Sequence, residues 1–120
     1  MTKTQVEELI SQLIEENYLN EERFAIQYAG SKFRMKQWGR VKIKYALTQK
    51  QISDYCIKKA LSQIKEEDYL KTLEKLTADK LTALSDEPNR FIKMRKVGDY
   101  LTLKGFEAEL IREALCQVKQ

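Results

Sequence analysis

Apolar residues recur at every third or fourth position along almost the whole chain, which is the spacing of one face of an α-helix. No segment shows the alternation that is typical of a β-strand. Capping residues, glycines and the single proline divide the pattern into seven predicted helices. These run from about Thr4 to Asn17, from Asn20 to just before Gly39, from about Gly39 to Lys50, from the Ser53 cap through Ile64, from about Glu66 to Leu84, from about Pro88 to Gly105, and over Ile111 to Val118.

Local signals mark the predicted helix ends. Residues 4–7 have the form of a capping box. Asn17 is a predicted left-handed stop, and Asn20 is the predicted cap of the next helix. Pro88 fits at or near the first position of the sixth helix, and Gly105 is predicted to end it.

The sequence also repeats itself. Residues 9–19 (LISQLIEENYL) match residues 60–70 (ALSQIKEEDYL) at six of eleven positions, and residues 50–61 match residues 104–115 at an offset of 54. A unit of about three helices therefore recurs every 51 to 54 residues. Because such units stack side by side, we predict an all-α fold of tandem three-helix repeats in an elongated, curved single domain.

The predicted domain covers residues 1–120 in three parts. A partial first repeat spans residues 1–38, a second repeat spans about 39–87, and a third spans about 88–120. No counterpart of residues 40–59 precedes the 9–19 block, so the chain is expected to begin inside a repeat.

The composition excludes several classes of function. Charged residues make up 33% of the chain and glycine and proline are rare, which is typical of a soluble, helix-rich globular protein. There is no histidine, so the commonest general base and histidine-based zinc sites are absent, and we expect neither an enzyme nor a cofactor. Cys56 and Cys116 form no CxxC motif, and each is predicted to be a small buried residue. No apolar run is long enough to span a membrane, and no secretory signal is visible.

The strongest charge pattern lies between Arg23 and Ser53, where no acidic residue occurs and Trp38 stands among eight basic residues. These are Arg23, Lys32, Arg34, Lys36, Arg40, Lys42, Lys44 and Lys50. We interpret the segment as a site for phosphate or for an acidic protein surface. The alternative is a solvated face with a tryptophan that helps to close the core.

The third predicted helix carries apolar residues on its outer side. Val41 and Tyr45 lie opposite its core stripe, and at offset 54 they correspond to Arg95 and Asp99, so these positions accept charge. Apolar side chains flanked by cations are typical of a partner-binding patch. The predicted outer face consists of Arg40, Val41, Lys42, Lys44 and Tyr45. The alternative is that this face packs on a neighbouring unit.

Three motifs resemble those of a known family. Residues 17–25 (NYLNEERFA) resemble the G-Y-L-[DN]-[DE]-E-R-F-A signature of the RecX regulatory proteins. Gly39, Lys42 and Ile43 fit that family's next motif, a glycine followed by basic residues and isoleucine at a helix start. Residues 101–115 fit the pattern Leu-x-x-Lys-Gly-Phe-x-x-x-x-Ile-x-x-Ala-Leu. The resemblance covers nearly the whole chain.

The resemblance implies a cytoplasmic bacterial regulator that is not an enzyme and needs no cofactor. Proteins of this family bind RecA and its filament on DNA, lie in the filament groove, and usually restrain ATP hydrolysis, strand exchange and co-protease activity. The implied setting is DNA recombination, DNA repair and the SOS response. The expected form is a monomer with RecA as partner, possible weak binding to DNA, and no membrane partner.

The chain departs from the family pattern at two turn positions. Asn17 replaces the signature glycine, and Gln51 replaces the glycine of a Lys-Gly-Ile turn, which costs stability if the turn is left-handed. The signature aromatics Tyr18, Phe24 and Phe106 are predicted to be core residues.

Charge pattern and resemblance agree on residues 32–50 as the contact with RecA or DNA. The candidate residues are Lys32, Arg34, Lys36, Trp38, Arg40, Val41, Lys42, Lys44 and Tyr45. Two other classes stay open. One is a nucleic-acid-binding module that acts without RecA, whose affinity would fall steeply with salt. The other is a helical-repeat adaptor that binds neither DNA nor RecA.

Overall fold

The computed structural model describes the backbone of residues 3–118 and the side chains of residues 20–118. Within residues 3–118 the chain forms α-helices and no strand. The helices are α1 (Lys3–Lys36), α2 (Arg40–Gln49), α3 (Asp54–Ser62), α4 (Glu66–Ala83), α5 (Arg90–Lys104) and α6 (Ala108–Cys116). The molecule measures 76 × 23 × 21 Å, so the predicted elongated, all-helical architecture is confirmed.

The helices pack in two groups of three. α1 contacts α2 and α3, and α4, α5 and α6 contact one another. We call α1–α3 the first unit and α4–α6 the second unit. The repeat boundaries near residues 38 and 87 stay predictions.

The first helix is longer than predicted. α1 continues through Asn17 and Asn20 over 34 residues, so the predicted stop at Asn17 and the predicted cap at Asn20 were both wrong. An asparagine inside a helix costs only about 0.7 kcal/mol relative to alanine, whereas a break would remove several backbone hydrogen bonds. The capping box at residues 4–7 and the side chain of Tyr18 lie outside the described side chains.

Two predicted end signals are confirmed. The Ser53 hydroxyl accepts a hydrogen bond from the Cys56 amide at 3.4 Å and so caps α3. Gly105 ends α5 with a φ of 97°. Cys56 is buried, as predicted.

α5 begins at Arg90, two residues after Pro88 and so near it as predicted, and Asn89 caps the helix because its side-chain oxygen accepts from the Ile92 amide at 3.2 Å. Two details at the chain's second half differ from the predictions. α6 ends at Cys116, which leaves Val118 outside the helix. Cys116 is exposed, so the prediction that it is buried was wrong.

The turns after α2 and α5 show that the repeat in the sequence is a repeat in structure. Gln51 and Gly105, which are 54 positions apart, both have left-handed backbones, with φ values of 63° and 97°. In each turn the next amide donates to the carbonyl five residues before it, at 3.1 Å after α2 and 3.2 Å after α5. The two turns are the Schellman type of helix end.

The core follows the same repeat. Ile43 and Leu47 of α2 are fully buried, and so are Val97 and Leu101 at the equivalent positions of α5. These pairs place one face of the second helix of each unit against the other two helices.

The signature aromatics differ in burial. Phe106 is buried in the core, as predicted, but Phe24 is 44% exposed, so that prediction was wrong. Ala25 and Ala29, which have no exposed surface, form the buried side of α1. Phe24, one position before Ala25, points away from that side and packs on Tyr28 instead.

Candidate partner-binding face and the junction that supports it

The start of α2 rests on the end of α5. The Gly39 amide donates to the Lys104 carbonyl at 2.7 Å, and the Val41 amide donates to the Gly105 carbonyl at 2.9 Å. Helix starts have amides without partners and helix ends have carbonyls without partners, so each helix end satisfies the other. The partial charges of the two helix dipoles also have opposite signs at this contact.

Only glycine allows this approach. A Cβ on Gly39 would overlap the carbonyl group of Gly105, and a Cβ on Gly105 would overlap the Cβ of Lys42. The backbones of the two units are therefore in direct contact. We call this contact the glycine junction and define it by Gly39 and Gly105.

A buried tyrosine and an arginine hold the junction from the side. The Tyr69 hydroxyl accepts from the Arg40 amide at 2.8 Å and donates to the Glu107 carboxylate. The Arg40 guanidinium lies 3.8 Å from the centre of the Tyr69 ring. It also pairs with Glu107 at 2.9 Å and with Glu66. These four residues join α2 to α4 and to the start of α6.

This cluster shifts two pKa values. Burial and the hydrogen bond to Glu107 raise the pKa of the Tyr69 hydroxyl above its ordinary value. Burial alone would lower the pKa of Arg40, but hydrogen bonds and charge interactions with Glu66 and Glu107 outweigh it and raise that pKa. Tyr69 therefore stays neutral and Arg40 stays charged over the physiological pH range.

Arg40 does not share the outer face of α2. Its side chain turns into the cluster with Tyr69, although the helical pattern placed it beside Val41 and Tyr45. Val41 is 52% exposed and Tyr45 is 67% exposed, and Lys44 is exposed beside them. We call Val41, Lys44 and Tyr45 the outer face of α2.

Lysines and aromatic rings alternate along the first unit. The Lys50 ammonium lies 5.6 Å from the centre of the Tyr28 ring, and the Lys32 ammonium lies 5.4 Å from the same ring. Lys32 also lies 5.0 Å from the Trp38 ring, and Lys42 lies 4.7 Å from it. Shared rings therefore connect three ammonium groups in a row.

A second set of lysines around one ring lies in the second unit. The Lys104 ammonium lies 5.9 Å from the Tyr100 ring, which Lys80 also approaches at 4.9 Å, and it donates to the Lys36 carbonyl of the first unit at 3.1 Å. We call the two sets together the lysine–aromatic track. The first set consists of Lys50, Tyr28, Lys32, Trp38 and Lys42, and the second of Lys104, Tyr100 and Lys80.

The structure thus separates the predicted site residues into groups. Lys32, Trp38 and Lys42 meet in the track. Arg34 and Lys36 are exposed in the last turn of α1. With the outer face of α2 and the inward-turned Arg40, this accounts for all nine predicted residues.

Sequence reasoning missed the residues of the second unit. Tyr69 and Glu107 carry no local motif, and the hydrogen bond of Lys104 to the Lys36 carbonyl forms only where the two units meet. One available signal was the repeat, because Tyr69 corresponds to the signature Tyr18 at offset 51.

The described part of the chain has neither a metal-binding cluster nor a membrane-spanning helix. No group of three or more Cys, Asp or Glu residues there lies close enough together to hold a metal ion. None of the helices in that part combines the length and the apolar composition that a membrane span requires.

Comparison with known proteins agrees on one family. Residues 20–61, which lie within the first unit, match the family model of the second three-helix domain of RecX. The chain is 35% identical over 103 residues to the regulatory protein RecX of Clostridium perfringens strain 13, which covers 85% of this chain and 48% of that relative. It is 28% identical over 112 residues to RecX of Streptococcus uberis, with 93% and 42% covered. The chain thus spans about half the length of these relatives.

Solved structures share the fold. The crystal structure of RecX from Lactobacillus salivarius superposes with a TM-score of 0.77 at 22% identity, over 97% of this chain and 75% of that one. A second crystal structure of a regulatory protein RecX gives a TM-score of 0.73 at 23% identity. The matching domain model and the curated relatives support the assignment of the chain to the RecX family of regulatory proteins, and the solved structures show the shared fold.

Proposed function

We propose that this chain binds the RecA recombinase and its filament on DNA, and that it restrains RecA's ATP hydrolysis, strand exchange and co-protease activity. The observation that carries the proposal is the outer face of α2, where Val41 and Tyr45 are exposed beside Lys44. An exposed aromatic and an aliphatic side chain next to a cation suit a partner surface with an apolar pocket and acidic groups. Assignment to the RecX family supports the choice of partner.

The proposed mode of action is binding rather than catalysis. The relatives are named regulatory proteins, which supports a regulator that acts by occupying its target. No cofactor is needed for such an action. Since the target works on bacterial DNA in recombination and repair, the proposal places the chain in the cytoplasm, as a monomer.

The junction contributes by holding α2 in place. A ten-residue helix has little stability alone, so its orientation must come from its contacts. Hydrogen bonds from Gly39 and Val41 to the end of α5 fix the direction of α2 relative to the second unit. The outer face is therefore presented by a rigid support, which reduces the entropy lost on binding.

ATP hydrolysis by RecA on single-stranded DNA tests the proposal. The rate is measured at physiological salt while this chain is titrated, and it is expected to fall at substoichiometric protein. Tyr45→Ala should raise the half-inhibitory concentration by about tenfold, because it removes an exposed aromatic anchor.

Phe91→Ala is the matched control. Phe91 is 77% exposed but lies on α5, so its removal should leave inhibition unchanged. Unchanged hydrolysis with folded wild-type chain would contradict the proposal. Binding to naked DNA without any effect on RecA would then favour a separate nucleic-acid-binding module, and binding to neither would favour an adaptor.

A further inference from the structure

We propose that the groove between α4 and α6 binds an amphipathic helix of a partner protein, in which basic residues flank an apolar stripe. This goes beyond the proposed function, which needs only the outer face of α2. The two surfaces carry opposite charges, since Lys44 belongs to the outer face of α2 while Glu74 and Glu113 line the groove. They therefore suit partner surfaces of opposite charge.

The groove has an apolar lining and the length of a short helix. Its volume is about 480 Å³, which is comparable with that of a typical binding pocket. On α4 the lining residues recur every three or four positions from Leu70 to Leu81, so the groove follows this helix for about 16 Å. A groove of three helical turns is typical of sites that hold a helix through residues at i, i+3 or i+4, and i+7. The apolar lining consists of Leu70, Leu73, Leu81, Leu110, Ala114 and Val118.

The first unit shows what the groove would look like if it were covered. On α3, which packs against α1, Cys56 and Ala60 have no exposed surface. Their counterparts on α6 at offset 54, Leu110 and Ala114, are half-buried and line the groove. The same face of the third helix is therefore covered in the first unit and accessible in the second.

The size of side chains on the first helix of each unit explains this difference. Ala25 and Ala29 of α1 are fully buried, and their small side chains allow α1 to lie close to α3. At offset 51 the counterparts on α4 are Leu76 and Lys80, which are larger. α4 and α6 accordingly pack less closely than α1 and α3 do. The space left between α4 and α6 is the space that a partner helix fills.

The charge of the groove indicates a basic partner. Glu74 and Glu113 are exposed, no basic residue lines the groove, and the ion pairs of the described side chains include neither carboxylate. In the first unit the equivalent positions hold Arg23 and Lys59. The groove is therefore acidic on a chain whose net charge is +4. Lysines or arginines beside the apolar stripe of a partner helix would pair with the two glutamates.

Binding of a designed peptide tests the proposal. The probe is a fluorescein-labelled helix of alanine, leucine and lysine, about 18 residues long, with leucines on one face and lysines along both sides of that face. The full chain is titrated into the peptide and anisotropy gives the affinity, which is expected to be micromolar. A peptide of the same composition with its leucines spread around the helix has no apolar stripe and should bind about tenfold more weakly.

Charge reversal tests the two glutamates. Glu74→Lys with Glu113→Lys should weaken binding of the lysine peptide by about tenfold, and it should create affinity for the same peptide with glutamate in place of lysine. Asp86→Lys with Asp99→Lys makes the same change of charge at exposed positions outside the groove. That control should change the affinity by less than about twofold, because salt screens charges that are far from the peptide.

A pair of leucine substitutions tests the apolar lining. Leu70→Gln removes a partly exposed apolar side chain from the groove and should weaken peptide binding by about fivefold. Leu103→Gln is the matched control, because Leu103 is an exposed leucine of α5 that does not line the groove, and it should keep the wild-type affinity. Far-UV circular dichroism confirms that every variant is folded.

Three results would overturn the proposal. One is the absence of saturable binding of the lysine peptide to the wild-type chain. Another is an equal affinity of the wild type and of the Glu74 and Glu113 variant for that peptide. The third is a dimer of the wild-type chain in sedimentation equilibrium that Leu70→Gln abolishes, which would assign the groove to a second copy of this chain.

The two proposals fail separately. Leu70→Gln leaves the outer face of α2 intact, so it should lose affinity for the peptide while it keeps the restraint of RecA. Inhibition of RecA by a wild-type chain that does not bind the peptide would remove this inference and leave the proposed function standing. Peptide binding without any effect on RecA would do the reverse.

Discussion

α2 and α5 occupy equivalent positions in the two units, but their starts are held in different ways. The start of α2 has a glycine, Gly39, and its amides donate to Tyr69 and to the end of α5. α5 begins earlier in the repeat, at Arg90, and is capped by its own neighbour Asn89, so Lys93, which corresponds to Gly39, already lies inside the helix. The same repeat therefore yields one helix that depends on the other unit and one that does not.

At the C-terminal ends of the two helices, α5 contacts the other unit and α2 does not. Gly105, after α5, meets the other unit and can carry no side chain. Gln51, after α2, has the same left-handed backbone but is exposed. The comparison shows that the helical pattern determines the shared core, while contact between the units determines where glycine is required.

The largest expected effect comes from filling the glycine junction. Gly39→Ala should lower the free energy of unfolding by about 3 kcal/mol, because the new Cβ overlaps the backbone of Gly105 and no flexible side chain can yield. The φ of Gly39 is −76°, which alanine adopts freely, so the effect is purely steric. Urea unfolding measures it.

Gly98→Ala is the control for that substitution. Gly98 lies inside α5, and its new Cβ would only touch Leu115 at 3.5 Å. This variant should be more stable by about 1 kcal/mol, since alanine favours the helix. Equal effects of the two alanines would refute the steric role of the junction.

Removal of the Tyr69 hydroxyl should have the next largest effect. Tyr69→Phe leaves the Arg40 amide without its acceptor and removes one of the two donors of the Glu107 carboxylate, which is expected to cost about 1–3 kcal/mol in urea unfolding. Tyr100→Phe is the comparison, because the Tyr100 hydroxyl makes no hydrogen bond with the described residues. A loss of similar size in both variants would contradict the proposed role of Tyr69.

The raised pKa of the Tyr69 hydroxyl predicts that the free energy of unfolding depends on pH. The pKa of Tyr69 is raised in the folded chain, so above about pH 10 the unfolded chain loses this proton and the folded chain keeps it. The free energy of unfolding should therefore fall with rising pH, by up to about 1.4 kcal/mol per pH unit from this group. Unfolding of wild type and Tyr69→Phe at pH 9, 10 and 11 isolates the effect, and parallel curves would show that Tyr69 does not contribute.

The smallest expected effect is at the exposed turn after α2. Gln51→Gly relieves a left-handed backbone at a non-glycine residue, which costs about 1–2 kcal/mol, but it adds about 0.5–1 kcal/mol of backbone entropy. The net gain should be about 0.5–1 kcal/mol, read as a higher melting temperature. A lower melting temperature would show that the Gln51 side chain stabilises the turn.

Local signals predicted much of this molecule, and long-range contacts explain what they missed. Helical periodicity and the Gly105 stop depend on neighbouring residues, and both are confirmed. The stop at Asn17 failed because a single asparagine is a weak signal against a continuing hydrogen-bond ladder.

The sequence predicted which residues form the basic surface but not the direction in which every side chain points. The missing acidic residues between Arg23 and Ser53 indicated a basic surface, and Val41 and Tyr45 are exposed as their charged counterparts suggested. The inward turn of Arg40 depends on Tyr69, 29 residues away, and no periodic pattern reports such a contact.

We propose that the basic and apolar surface around α2 holds the target of this chain. Co-sedimentation with RecA filaments on single-stranded DNA measures this binding for wild type, Lys42→Glu with Lys44→Glu, and the charge-matched control Lys58→Glu with Lys75→Glu. Wild type and control are expected to sediment with the filament, while the Lys42 and Lys44 variant is expected to stay in the supernatant with its helicity intact. Sedimentation of that variant at the wild-type level would show that this surface does not hold the target.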